Sequence, residues 1–122
     1  MDIVSKLKKA NLTGRGGACF PTGLKWEMVK KAKGEHKYVV CNASEGEPGV
    51  RKDYYIFEHY PEKVVDGISI AMEYLGAHKG YIYINPDYYK RFAKCLTDLT
   101  EDKQIEIFRK PEYAGYAGGE ET

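Results

Sequence analysis

The sequence is poor in cysteine, and what it has is badly placed for chemistry. Cys19, Cys41 and Cys95 are odd in number and far apart, with no Cys-x-x-Cys pair. That argues against a disulfide framework and a structural zinc site, and no metal ligand is nominated. Three scattered thiolates also fall short of the four that hold an ordinary iron–sulfur cluster, so none is expected within this chain. Charge of one sign is lacking too. The 19 basic and 18 acidic residues leave a net charge of +1, without the basic surplus that a nucleic-acid surface needs. No apolar run approaches 18 residues and no signal-peptide pattern is present. No direct membrane insertion is therefore expected, and the reduced cysteines point to the cytoplasm. The three histidines, His36, His59 and His78, fall at loop or helix-end positions with no acid or nucleophile pattern around them. No catalytic side chain is nominated on that basis.

What remains suits one α/β domain over residues 1–122, long enough for a core of its own. Residues 2–10 place Ile3, Val4 and Leu7 on one helical face, opposite lysines. Residues 23–33 read as a second helix with Leu24, Met28 and Val29 inward and Gly34 as its stop. Tyr38-Val39-Val40-Cys41 is a continuous run of β-forming residues and reads as a buried strand of a parallel sheet. A helical turn or two follows at Tyr54–Phe57. Residues 61–75 form an amphipathic helix begun by Pro61 and ended by Gly76. Residues 80–84 and 104–109 read as strands, with a helix at 87–99 between them. Alternation of this kind predicts a Rossmann-like, three-layer α/β domain with a mainly parallel sheet and right-handed crossovers.

Three polar, glycine-containing stretches interrupt these elements. Gly14-Arg15-Gly16-Gly17-Ala18-Cys19-Phe20-Pro21-Thr22-Gly23-Leu24-Lys25-Trp26 runs straight into the second helix. Glycines allow close approach of backbone to a ligand, successive N–H groups make an anion-binding concavity, and Lys25 adds a full charge. A phosphate cradle and a plain structural loop both fit these residues. The dinucleotide fingerprint does not apply, because Cys19 stands at the third glycine and a helix, not a strand, precedes the loop. Asn42-Ala43-Ser44-Glu45-Gly46-Glu47-Pro48-Gly49 directly follows the first strand, where α/β proteins place ligands. A ligand loop and a solvated acidic turn are both open there. The final stretch, Tyr113 to Thr122, is again glycine-rich with Glu120-Glu121 near its end. The 11 tyrosines suit either half-buried element faces or contacts with ring-shaped ligands.

Taken in order, Gly14 to Trp26, Cys41 to Gly49 with Lys52-Asp53, and Tyr116 to Thr122 ending Gly-Glu-Glu-Thr resemble one family. It is the flavin- and NADH-binding, 51 kDa-type subunit of respiratory complex I, shared with NAD-reducing hydrogenases and NAD-dependent formate dehydrogenases. The resemblance covers nearly the whole chain but one region of that subunit. The family's ubiquitin-like domain and its 4Fe–4S-binding helical domain lie beyond Glu-Glu-Thr.

Position by position, the resemblance implies FMN phosphate and ribityl contacts at Gly14, Gly16 and Lys25, and a ring contact at Asn42. Gly119 and Glu120 would lie along the flavin. Phe20 would stack on the NADH adenine, with Glu47, Tyr116 and Glu121 positioning the dinucleotide. The chemistry implied is hydride acceptance by FMN from NADH, an NADH dehydrogenase-like activity, with electrons passed to an iron–sulfur partner subunit or a second chain that completes the flavin site. A truncated, non-catalytic nucleotide-binding or assembly domain is the alternative. The sequence departs from the family at four places: Cys19 for the glycine before Phe20, Ser44 for an aspartate, Met28 for an aromatic, and Gly118 for a cysteine.

Overall fold

The computed structural model describes residues 2–14, 19–34 and 36–111. Its elements are α1 (Ile3–Lys9), α2 (Thr22–Lys31), β1 (Tyr38–Ala43), α3 (Lys52–His59), α4 (Pro61–Leu75), β2 (Lys79–Ile84), α5 (Pro86–Thr100) and β3 (Ile105–Arg109). The three strands form a parallel sheet in the order β1-β2-β3. The α/β class and the parallel sheet are as the alternation predicts. Two successive right-handed crossovers in this order put their helices on one face of the sheet, and the core is built there. Ala43, Ile82, Ile84 and Ile105 pack against Phe57 of α3, Val65 and Ile68 of α4, and Phe92 and Leu96 of α5. Ile82, Ile84 and Leu96 are fully buried, each contributing about 1.5–3 kcal/mol by removal from water.

Because side chains alternate along a strand, the other face carries a second set. Tyr38, Val40 and Asn42 lie in register with Lys79, Tyr81 and Tyr83, and Tyr83 in turn with Phe108. Of the three layers expected, the described residues furnish the sheet and the helices on one side. This corrects the reading of β1 as buried throughout: Val40 is 59% exposed and Tyr38 49%. A strand apolar on both faces reads as doubly buried, but among the described residues helices cover only one face of the sheet.

The helices begin and end for local reasons. Asp2 caps α1, its carboxylate accepting from the Ser5 N–H at 2.8 Å. Asn11, at φ +55°, turns the chain out of it. Pro61 opens α4, and Gly76 at φ +64° closes it with the Ala77 N–H on the Met72 carbonyl at 2.9 Å. Asn85 caps α5 through the Tyr88 N–H at 2.8 Å, with Pro86 in the first turn.

In α2 the expected inward face is wrong. Leu24, Met28 and Val29 are exposed, and Gly23 is buried. A Cβ on Gly23 would come within 2.9 Å of the Lys8 side chain and 3.2 Å of the Val4 carbonyl. Glycine therefore lets α2 lie close on α1, and that contact sets its rotation. Trp26 then packs on Tyr74 of α4, ring centroids 6.1 Å apart. The helix also ends before Gly34, at Lys31, where Ala32 turns extended.

Candidate functional site

The approach to α2 is a closed strap. Thr13 and Pro21 form an isolated antiparallel bridge. The Gly14 N–H donates to the Phe20 carbonyl at 2.9 Å, and the Thr22 N–H to that of Leu12 at 2.9 Å. Gly14 and Phe20 thus bring the two ends of the glycine stretch together. Cys19 takes φ +52°, the left-handed region that favours glycine. Pro21 stands at the N-cap of α2 with no side-chain cap bond, and the first turn holds no acidic residue. Lys25 begins the second turn, its N–H on the Pro21 carbonyl at 3.1 Å. Phe20, Leu24 and Met28 are all exposed on this side. A groove of about 150 Å³ runs beside the strap, lined by Leu7, Leu12, Thr13 and Pro21 among others. It is smaller than the roughly 300–1,000 Å³ of small-molecule pockets.

The second group of candidates sits at the carboxyl end of β1. Asn42 belongs to the uncovered face of the sheet. Its carbonyl oxygen accepts from the buried Ser44, the hydroxyl at 2.7 Å and the N–H at 3.3 Å. Two residues that look alike in sequence then part company. The Glu47 side chain is exposed on the turn closed by the Val50 N–H at 3.1 Å. The Glu45 side chain is only 6% exposed. Its two oxygens accept the Asp53 N–H in the first turn of α3 at 3.1 and 3.2 Å, and one also accepts the Tyr88 hydroxyl at 2.9 Å. Lys52 lies 3.9 Å away and pairs with Asp53 as well. Asn85 completes the joint, its amide donating to the Glu45 carbonyl at 2.7 Å.

Burial and the Glu45 hydrogen bond push the Tyr88 phenol up to about 12. Burial, with Asp53 nearby, raises the Cys41 thiol to about 11. The shift favours the protonated thiol at neutral pH.

Five of the ten sequence-predicted site residues are thereby placed. Gly14, Phe20 and Lys25 lie on the strap and α2. Asn42 and Glu47 lie at the end of β1. Gly16, Tyr116, Gly119, Glu120 and Glu121 fall outside the described residues. The histidines stand apart: His36 and His78 pack ring to ring at 5.1 Å beside the amino ends of β1 and β2, opposite to Asn42. His59 packs on Tyr55 at 4.4 Å. Among the described residues no three His, Cys, Asp or Glu side chains are grouped to hold a metal ion, and no helix is long and apolar enough to cross a membrane.

Sequence reasoning missed the joint of Glu45, Asn85 and Tyr88. It also missed Lys110, buried just past β3 with its N–H on the Ile84 carbonyl at 2.7 Å. Only Asn85 carried a usable signal, the Asn-Pro pair that opens a helix.

Residues 7–122 match the family model described as the Nuo51 FMN-binding domain. An NADH-quinone oxidoreductase component of Rhizobium meliloti (strain 1021) is 48% identical over 109 residues, covering 87% of this chain and 26% of that protein. The alpha chain of the NAD-reducing hydrogenase HoxS of Cupriavidus necator is 41% identical over 103 residues, covering 82% and 17%. A crystal structure of an NAD+-reducing nickel–iron hydrogenase in the H2-reduced state superposes with a TM-score of 0.84 at 31% identity, over 98% of this chain and 22% of that one. The chain thus spans about a quarter or less of the length of these relatives.

Proposed function

The chain belongs to the Nuo51 FMN-binding domain family, and on that premise we propose that it is the FMN-holding module of an NADH-linked oxidoreductase. The observation that carries the proposal is the strap before α2. Its ends are drawn together at Gly14 and Phe20, Cys19 adopts a left-handed backbone, and α2 begins with neither a side-chain cap nor an acid. Such a helix end suits a phosphate, and Lys25 supplies a counter-charge.

Gly14, Gly16 and Lys25 are assigned to the phosphate and ribityl chain, and Asn42, Gly119 and Glu120 to the ring. Phe20, Glu47, Tyr116 and Glu121 are assigned to NADH, with Phe20 offering an exposed aromatic face. Bound FMN supplies hydride acceptance from NADH and onward electron release. The side chains bind and orient, and no general acid or nucleophile is required of them. The electron acceptor would be an iron–sulfur partner subunit. Among the described residues the sheet face around Val40 and Phe108 is exposed, which supports a module that works against further polypeptide.

The test is titration of the purified chain with FMN, followed by flavin fluorescence. Uptake of FMN and bleaching of the bound flavin by NADH are expected. Lys25→Ala should weaken FMN binding roughly 10- to 100-fold, the range for loss of a charged hydrogen bond. Protein that stays colourless with excess FMN would overturn the proposal.

A further inference from the structure

We propose that Tyr88 is a positioning residue for the flavin site, acting through Glu45 on the loop between β1 and α3. The inference rests on the FMN-binding reading above. That loop leaves β1 at Asn42 and carries Glu47, the residues assigned to the flavin ring and to NADH. Of its two glutamates, only Glu45 is buried, and its side chain turns away from the exposed turn at Pro48-Gly49 into a joint between two adjacent crossover connections.

Three contacts make the joint. The Tyr88 hydroxyl donates to Glu45 at 2.9 Å. The Asp53 N–H donates to the same carboxylate. The Asn85 amide donates to the Glu45 carbonyl at 2.7 Å, while its own carbonyl oxygen caps α5. Tyr88 sits one turn into α5, and its ring is held edge-on by Tyr54 of α3 at 5.4 Å. The hydroxyl is therefore fixed from both sides. It reaches across 43 positions of sequence to a carboxylate whose other partners, the Asp53 N–H and Lys52, both belong to α3. A charged acceptor with a phenol donor makes a strong, directional bond, which suits a group that sets where a ligand loop stands.

Tyr88→Phe removes the hydroxyl and keeps the ring packing. In the ligand-free chain, amide hydrogen exchange over residues 44–53 should quicken about tenfold. FMN and riboflavin should both bind about tenfold more weakly, by the same factor, because the loop is assigned to the ring and not to the phosphate. Lys25→Ala should instead weaken FMN and spare riboflavin. A general loss of stability would quicken exchange in the core strands as well, whereas the positioning role confines the change to residues 44–53. Asn85→Ser keeps a good cap for α5 but removes the donor to Glu45, and should give the same signature at smaller size.

Unchanged exchange over 44–53 in Tyr88→Phe would overturn the joint. Faster exchange with unchanged flavin affinity would overturn the positioning role. A wild-type chain that takes up neither flavin sinks the FMN reading and this role with it. The exchange measurement, which needs no flavin, distinguishes that failure from failure of the joint.

Discussion

Two helices begin beside the candidate site, and their amino ends are treated differently. The first turn of α3 meets a carboxylate from the chain itself: both Glu45 oxygens face the Asp53 N–H, and Tyr88 and Asn85 hold the glutamate in place. The first turn of α2 meets none among the described residues. It has no acidic residue and no side-chain cap, and its approach is held by backbone bonds alone among the described contacts. A helix amino end attracts negative charge in either case. At α3 the attraction is satisfied internally and becomes structural glue. At α2 no described side chain of the helix's first turn or N-cap plays that part, which is compatible with the phosphate contacts proposed for Gly14, Gly16 and Lys25.

The largest expected effect comes from breaking the internally satisfied end. Glu45→Ala would strand the Asp53 N–H and the Tyr88 hydroxyl in a partly buried joint. At about 1–3 kcal/mol for each group left unpaired, the loss should be about 3 kcal/mol in urea unfolding. Glu47→Ala, at an exposed position two residues on, should cost under about 0.5 kcal/mol. Similar losses for the two would erase the distinction between a structural and a ligand-facing glutamate.

A second effect should appear with pH. The folded-state values of Cys41 and Tyr88 are raised, to about 11 and about 12 from ordinary values of 9.0 and 10.0. Groups shifted upward stabilise the fold fully below their unfolded values and lose that contribution as pH rises through their folded ones. Stability should therefore fall first between about pH 9 and 11, from Cys41, and then between about 10 and 12, from Tyr88. In Tyr88→Phe the later part of the fall should vanish. A wild-type profile flat across both windows would contradict the burial assigned to both groups.

Much of the fold was legible because it follows from period and punctuation. The apolar spacing of α4 and α5, Pro61, Gly76 and the Asn85-Pro86 turn are local signals, and the elements lie where those signals put them. What was not legible depends on partners distant in sequence. The rotation of α2 is set by Gly23 against Val4 and Lys8, a contact that no helical pattern of α2 contains. The exposed side of β1 could not be told from its covered side, since both are apolar. In the site, the loop's own residues do not separate Glu45 from Glu47; the resemblance singles out Glu47, and the Tyr88 hydroxyl bond separates Glu45 as the structural one. Gly14 and Lys25 stand out from glycine chemistry and charge, which are properties of the stretch itself, whereas Phe20 is named only by the family resemblance.

The smallest expected effect concerns Cys19, which holds a left-handed backbone without being glycine. At φ +52° a residue with a Cβ is strained by about 1–2 kcal/mol, whereas glycine is not. Glycine also costs about 0.5–1 kcal/mol more backbone entropy on folding. The two terms oppose, so Cys19→Gly should stabilise the chain by only about 0.5 kcal/mol. Cys19→Ala keeps the Cβ and the strain, and should match wild type. The pair separates backbone from thiol: equal effects of alanine and glycine would mean that the sulfur, not the left-handed backbone, sets the cost at this position. If the strap is the ligand-facing partner in the comparison, Cys19→Gly should also tighten FMN binding by a few-fold while leaving hydrogen exchange over residues 44–53 unchanged.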